Sequence, residues 1–199
     1  MSDSSVDDER EAALRKATIG DVERPERGLV ELADYDEAWA ARFAAESAAV
    51  RAALSDRVLL LEHVGSTSVP GLAAKPIVDI LLVVADSSDE AAYVPPLEAA
   101  GYVLRIREPD WYEHRMFRRP DRSVQIHVFS RDSGATEVER MLLFRDRLRA
   151  RPEERALYEQ TKRALAARRW PTVQHYADAK GEVVEAIIAR ALAERDASG

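Results

Sequence analysis

The chain has 199 residues, no cysteine, and 36 acidic against 29 basic side chains, a formal net charge of −7. Such a length buries a core without disulfides or a structural metal, and the lack of cysteine excludes thiol catalysis and cysteine–zinc sites. Net acidity argues against broad nucleic-acid binding, whose affinity comes largely from phosphate neutralisation, and no apolar run reaches the roughly 20 residues of a membrane helix.

Residues 1–27 carry eight acids against five bases. Low in aromatics and unlike a secretory signal, they are expected to form a disordered or frayed acidic arm, and the expected location is cytoplasmic. From Leu29 an extended lead-in precedes a helix that Asp34 or Asp36 would cap. Trp39, Phe43, Val50 and Leu54 repeat at helical spacing, and this helix should end near Ser55–Asp56. VLLLEHV (Val58–Val64) and IVDILLVV (Ile77–Val84) read as strands, being aliphatic runs bounded by turn formers. DSSDEAAYVPPLEAAGY reads as a helix stopped at Gly101, with Pro95–Pro96 interrupting or restarting it. YVLRIRE, WYEHRMFRR and SVQIHVFS look like three short strands, the last two joined by a Pro120–Asp121 turn. From Thr136 the pattern is helical, with Pro152 at a helix start and VVEAIIARAL supplying a further apolar stripe. The fold class predicted is α+β: a core over 28–135 with a mixed β-sheet and flanking helices, and a helical C-terminal section over 136–196 packed on it as one structural domain.

The segment GSTSVPGLAAKPIVD between the two aliphatic strands carries the chemistry. Its glycines and Lys75 have the wrong spacing for a nucleotide-cradling loop of the Gly-x-x-x-x-Gly-Lys type. Ser66 lacks the glycine two residues on that a hydrolase elbow requires. A third reading is a Gly65–Ser66 turn, continued by Thr67 and Ser68, whose small side chains let backbone amides approach a phosphate. Asp79 on the next strand would then hold a cation bound to that phosphate; the alternative is an Asp79 paired with an arginine in the core.

Several segments in order resemble the GrpB family: EHVGSTSVPGLAAKPIVDILLVV, preceded by YDEAWAARFAAE and followed by AAGYVLR, QIHVF, LLFRDRLRARPEERALYEQTK and YADAKGEVVEAI. The resemblance covers roughly residues 29–192 and implies a nucleotidyltransferase-like fold. That superfamily is marked by Gly-Ser after one strand and Asp-x-Asp on the next. Gly65, Ser66 and Asp79 match; Leu81 stands where the second acid would be, and His127 is the candidate on the later strand. The resemblance implies a nucleotide or related phosphorylated small molecule as ligand and metal-dependent nucleotidyl or phosphoryl transfer as the activity. Because some relatives are fused to dephospho-coenzyme A kinase, it also suggests a link to coenzyme A metabolism. Without a second carboxylate the two-ion arrangement is incomplete, and a catalytically degenerate binding or protein-interaction module is the alternative. The metal expected is one divalent ion, magnesium, manganese or zinc, held by Asp79 and His127 with Glu62 or His63 as further donors.

The remaining candidates are cationic. Residues 105–151 hold twelve arginines against eight acids, which permits a small phosphorylated ligand. Arg115 and Arg145 are candidate phosphate clamps through the guanidinium fork. In this arginine-rich chain only Lys16, Lys75, Lys162 and Lys180 are lysine, and the two cations are not interchangeable. Lys75 follows the turn and could meet a phosphate. Tyr158 and Lys162, four apart on one helix face, could line a pocket rim; Tyr176 and Lys180 repeat the spacing and are read as a core tyrosine with a solvated lysine.

Overall fold

The two aliphatic runs flanking the Gly–Ser turn form adjacent strands, β1 (Leu60–Val64) and β2 (Val78–Val84), in the computed structural model, which describes residues 12–13, 16–19, 30–170 and 173–198. Strands β3 (Val103–Glu108), β4 (His114–Arg118) and β5 (Val124–Ser130) complete a five-stranded sheet of order β1-β2-β5-β4-β3. β2 and β5 are parallel and every other neighbouring pair is antiparallel. The sheet is therefore mixed, and the helices that flank it make the fold the α+β class expected.

Alternation along β2 assigns the two faces. Ile80 and Leu82 point to one side, with Val124, Ile126 and Val128 of β5 and Phe117 of β4. Helices α1 (Ala38–Leu54) and α2 (Glu90–Ala99) cover that face through Trp39, Val50, Leu54, Tyr93 and Leu97. Each such side chain, when fully buried, contributes about 1.5–3 kcal/mol of transfer free energy. Leu81 and Phe129 project to the opposite face, where Val138, Met141 and Leu142 of α3 (Ala135–Ala150) pack on them. A third cluster joins Val69 and Leu72, in the β1–β2 connection, to Leu148 of α3, Tyr158 of α4 (Pro152–Ala166) and Ile187 of α6 (Gly181–Ser198). The short helix α5 (Val173–Asp178) lies between α4 and α6 in the chain. The helical C-terminal section is thus held against the Gly–Ser turn itself. No described helix is long and apolar enough to cross a membrane.

Between the two candidate caps of α1 the structure selects Asp36, whose Oδ1 accepts from the Ala38 amide at 2.8 Å; Asp34 instead meets Arg163 at 2.6 Å. Two expectations need correction. Pro95 and Pro96 lie inside α2 without breaking it, because Tyr93 and Leu97 are anchored in the core and the Tyr93 hydroxyl donates to the Ser87 carbonyl at 2.6 Å. In the N-terminal arm, Thr18 pairs with Ile106 and the Ile19 amide donates to the Arg105 carbonyl at 2.8 Å. That part extends the β3 edge and is not frayed; residues 1–11, 14–15 and 20–27 lie outside the described residues.

Candidate functional site

The turn after β1 is built around one close approach. Antiparallel register sets Val64 opposite Asp79, so the next residue, Gly65, lies against the Asp79 carboxyl group. A β-carbon on Gly65 would sit 2.3 Å from Asp79 Oδ2. Its φ of +68° with ψ of −176° is a region open essentially to glycine alone. A 3₁₀ turn over Ser66–Ser68 follows. Ser68 Oγ donates to the Gly65 carbonyl at 2.7 Å and Thr67 Oγ1 to the Ile77 carbonyl at 3.0 Å. Thr67 and Ser68 are buried, so their hydroxyls tie the turn together, and the Ser68 amide is spent on the Gly65 carbonyl at 3.3 Å. Arg149 locks the turn from behind, donating Nε and Nη2 to the Ser68 carbonyl at 3.1 and 2.8 Å.

In front of the turn stand the tyrosine–lysine pairs. Tyr158 stands near Ser66, and burial pushes its hydroxyl up to about 12. Lys162 Nζ lies 4.8 Å from the Tyr158 ring centroid and donates to the Ala73 carbonyl. Burial, assisted by repulsion from Lys180, pulls Lys162 down to about 7. Lys180 Nζ sits 4.7 Å over the Tyr176 ring. Burial lowers its pKa too; Asp79 pulls the other way and Lys75 adds repulsion. Lys180 is consequently half-buried between Asp79, Lys75 and Lys162, which corrects its reading as a solvated lysine. Tyr176 packs in the interior as expected, and among the described residues its buried hydroxyl has no hydrogen-bond partner.

On the sheet floor, His127 Nε2 faces Asp79 Oδ1 at 3.7 Å, with the two side chains 23% and 27% exposed. Behind His127 a hydrogen-bonded row continues. His127 Nδ1 is 3.1 Å from His114 Nε2, and His114 Nδ1 is 2.7 Å from Glu108 Oε2. Glu108 and His114 escaped the sequence reading, although strand alternation puts His114 two residues from Met116, which pairs with His127.

Other candidates lie elsewhere. Arg115 is on the far face of the sheet, donating to Glu90 Oε1 at 2.6 Å and to the Glu113 carbonyl at 2.8 Å. Arg145 is held by Glu62 at 2.7 Å, by Asp146 at 2.7 Å and by the His63 carbonyl at 3.1 Å. Neither is a free phosphate clamp, because each guanidinium already meets a carboxylate. Glu62 is committed to that pair. His63 is buried on the opposite face, stacked on Phe43 at 4.8 Å, with Nε2 on Thr67 Oγ1 at 3.1 Å. Burial pushes it down to about 4; its place on the opposite face, with Nε2 taken by Thr67, makes it a structural histidine of the turn, away from the Asp79–His127 pair.

This disposition fails the requirement of a two-ion centre. Leu81 is fully buried where a second acid would stand, and among the described residues no three His, Cys, Asp or Glu side chains form a group that could hold a metal. Asp79 and His127 are two donors only, which a ligand phosphate and water would have to complete for a single ion.

The sequence profile described as "GrpB protein" matches residues 29–190. A UPF0157 protein of Halalkalibacterium halodurans is 51% identical over 97% of this chain and 98% of its own length. Another UPF0157 protein, from Streptomyces coelicolor, is 48% identical over 89% of this chain and 92% of its own. A more distant relative, at 30% identity over 71% of this chain and 41% of its own, is a dephospho-CoA kinase of Mycolicibacterium paratuberculosis. Among solved structures, GrpB from Enterococcus faecalis superposes with a TM-score of 0.70 at 30% identity, covering 83% of this chain and 99% of that one. With a profile match over most of its length and close relatives aligned end to end, the chain belongs to the GrpB family.

Proposed function

We propose that this chain binds a nucleotide or a related phosphorylated small molecule between the Gly65–Ser66 turn and the tyrosine–lysine pairs of α4 and the α5–α6 junction. The observation that carries the reading is a run of neighbouring cations, Lys75 and Lys162 each repelling Lys180 and Asp79 attracting it, which gathers three of the chain's four lysines in a protein of net charge −7. Cations held close together and partly dehydrated repel one another, and an anion among them removes that cost. The Tyr176 hydroxyl beneath Lys180, unpartnered among the described residues, is a further polar group that a ligand would satisfy. Phosphate oxygens match both demands. The distant dephospho-CoA kinase relative supports placing coenzyme A precursors beside nucleotides in the first panel. Leu81, buried in the position of a second acid, favours binding without two-ion transfer. A single divalent ion on Asp79, brought in with the phosphate, is compatible with this reading.

Thermal unfolding of the protein with nucleotides and coenzyme A precursors, each with and without magnesium, manganese or zinc, tests it. A true ligand at a hundred times its dissociation constant stabilises by about 2.7 kcal/mol. That shift should be lost in Lys180→Met. A flat panel across every compound and metal would sink the nucleotide reading and leave a protein-interaction module.

A further inference from the structure

We propose that Glu108 and His114 are positioning residues that hold His127 in its Nδ1–H tautomer, so that His127 Nε2 presents a lone pair beside the Asp79 carboxylate. A neutral imidazole has one N–H donor and one acceptor nitrogen. The row therefore has a direction. The Glu108 carboxylate accepts from His114 Nδ1–H at 2.7 Å. With its Nδ1–H spent on that carboxylate, a neutral His114 ring can only accept at Nε2. Its partner at 3.1 Å, His127 Nδ1, must donate. His127 Nε2 is then left as an acceptor, 3.7 Å from Asp79 Oδ1. Two aromatic neighbours fix the plane of the His114 ring. Phe129 stacks on it at 4.8 Å, and Trp111 meets it edge-on at 5.2 Å.

Two acceptors facing each other are an unfinished arrangement. They call for a polar hydrogen between them, and the group that brings one to a phosphate site is a hydroxyl of the bound molecule. A lone Asp79–His127 pair would instead close on itself, Nε2–H donating to the carboxylate, and would offer the ligand nothing. The Glu108–His114 dyad prevents this closure and leaves both acceptors open to the single hydrogen of a ligand hydroxyl. The role of that hydroxyl rests on the proposed ligand site; the tautomer does not, and it can be tested with no ligand present.

The test is long-range ¹H–¹⁵N NMR of the full chain labelled at its four histidines, at mildly alkaline pH, with His127→Gln used to assign the signals. A pyridine-like Nε2 and a protonated Nδ1 at His127 are expected in the wild type. In His114→Phe, which keeps the ring shape and removes the acceptor, His127 should switch to Nε2–H. Glu108→Leu, at a partly exposed strand position that threatens the fold less, should shift the same equilibrium part of the way. A protonated Nε2 in the wild type, or a tautomer indifferent to both substitutions, would overturn the proposal even if nucleotides bind. Failure of every nucleotide to bind, with the tautomer as described, would count against the ligand reading alone.

Discussion

Gly65 is where backbone geometry and the candidate chemistry meet in one residue. Replacing it with alanine demands a φ of +68° from a residue with a side chain, and drives a β-carbon to 2.3 Å from Asp79 Oδ2. Gly71 has a similar φ of +78°, but a β-carbon there would meet nothing within 4 Å. The pair therefore separates strain from collision. Gly71→Ala should cost about 1–2 kcal/mol, the usual penalty of left-handed backbone, whereas Gly65→Ala should cost more and displace the carboxylate. Urea denaturation of both variants measures the difference; equal losses would mean that Asp79 moves aside freely. Local contacts of this kind were legible in the sequence, because a glycine after one strand and an acid on the next are brought together by a single antiparallel pairing. The fates of Arg115 and Arg145 were not. Their partners Glu90 and Glu62 lie 25 and 83 residues away, and nothing local distinguishes a guanidinium already met by a carboxylate from one awaiting a phosphate.

At the level of elements, the seam between α1 and the sheet is held by a buried carboxylate. Glu46 Oε2 accepts from the Tyr102 hydroxyl at 2.5 Å and from Arg119 Nε and Nη2 at 3.0 and 2.8 Å. The Arg119 guanidinium also lies 4.0 Å over the Tyr102 ring. Removing the carboxylate leaves a cation and a hydroxyl without their acceptor, a loss of about 3–5 kcal/mol when such a pair is deeply buried. Arg119 keeps some contact with water, so Glu46→Leu should lie at the low end of that range. Adding Arg119→Leu should recover part of the loss, which a double-mutant cycle in denaturant reads directly; strict additivity would show that the pair is uncoupled. The strands and helices that this seam joins follow from periodicity in short windows, and their order was read correctly. The seam itself was invisible because its members are 56 and 73 residues apart. The same limit hid the Glu108–His114–His127 row, in which three strands must pair in register before the side chains meet. Pro95 and Pro96 show the opposite failure, a strong local signal overridden by two core anchors on the same helix.

The whole molecule carries the consequence of burying Lys162. Its ammonium is almost fully enclosed, 2% exposed, with Lys180 and Arg163 repelling it and Glu159 attracting it. Folding lowers its pKa from the ordinary 10.5 to about 7. Between those two values the unfolded chain holds a proton that the folded chain has released, so stability rises with pH across the window from about 7 to 10.5. Below it both states are protonated and the full penalty of the buried charge remains. The contribution of this one group to the slope cannot exceed about 1.4 kcal/mol per pH unit. Lys162→Met should flatten the wild-type rise, as measured by urea midpoints from pH 7 to 10; an unchanged slope would place the titrating group elsewhere. Ligand binding must run the linkage backwards. A phosphate beside Lys162 favours the ammonium, so binding near pH 8 should draw protons from the buffer. Calorimetry in buffers of different ionisation heat should reveal that uptake in the wild type and its loss in Lys162→Met. Binding without proton uptake would mean that the anion is met by Lys75 and Lys180 while Lys162 serves only the Ala73 carbonyl.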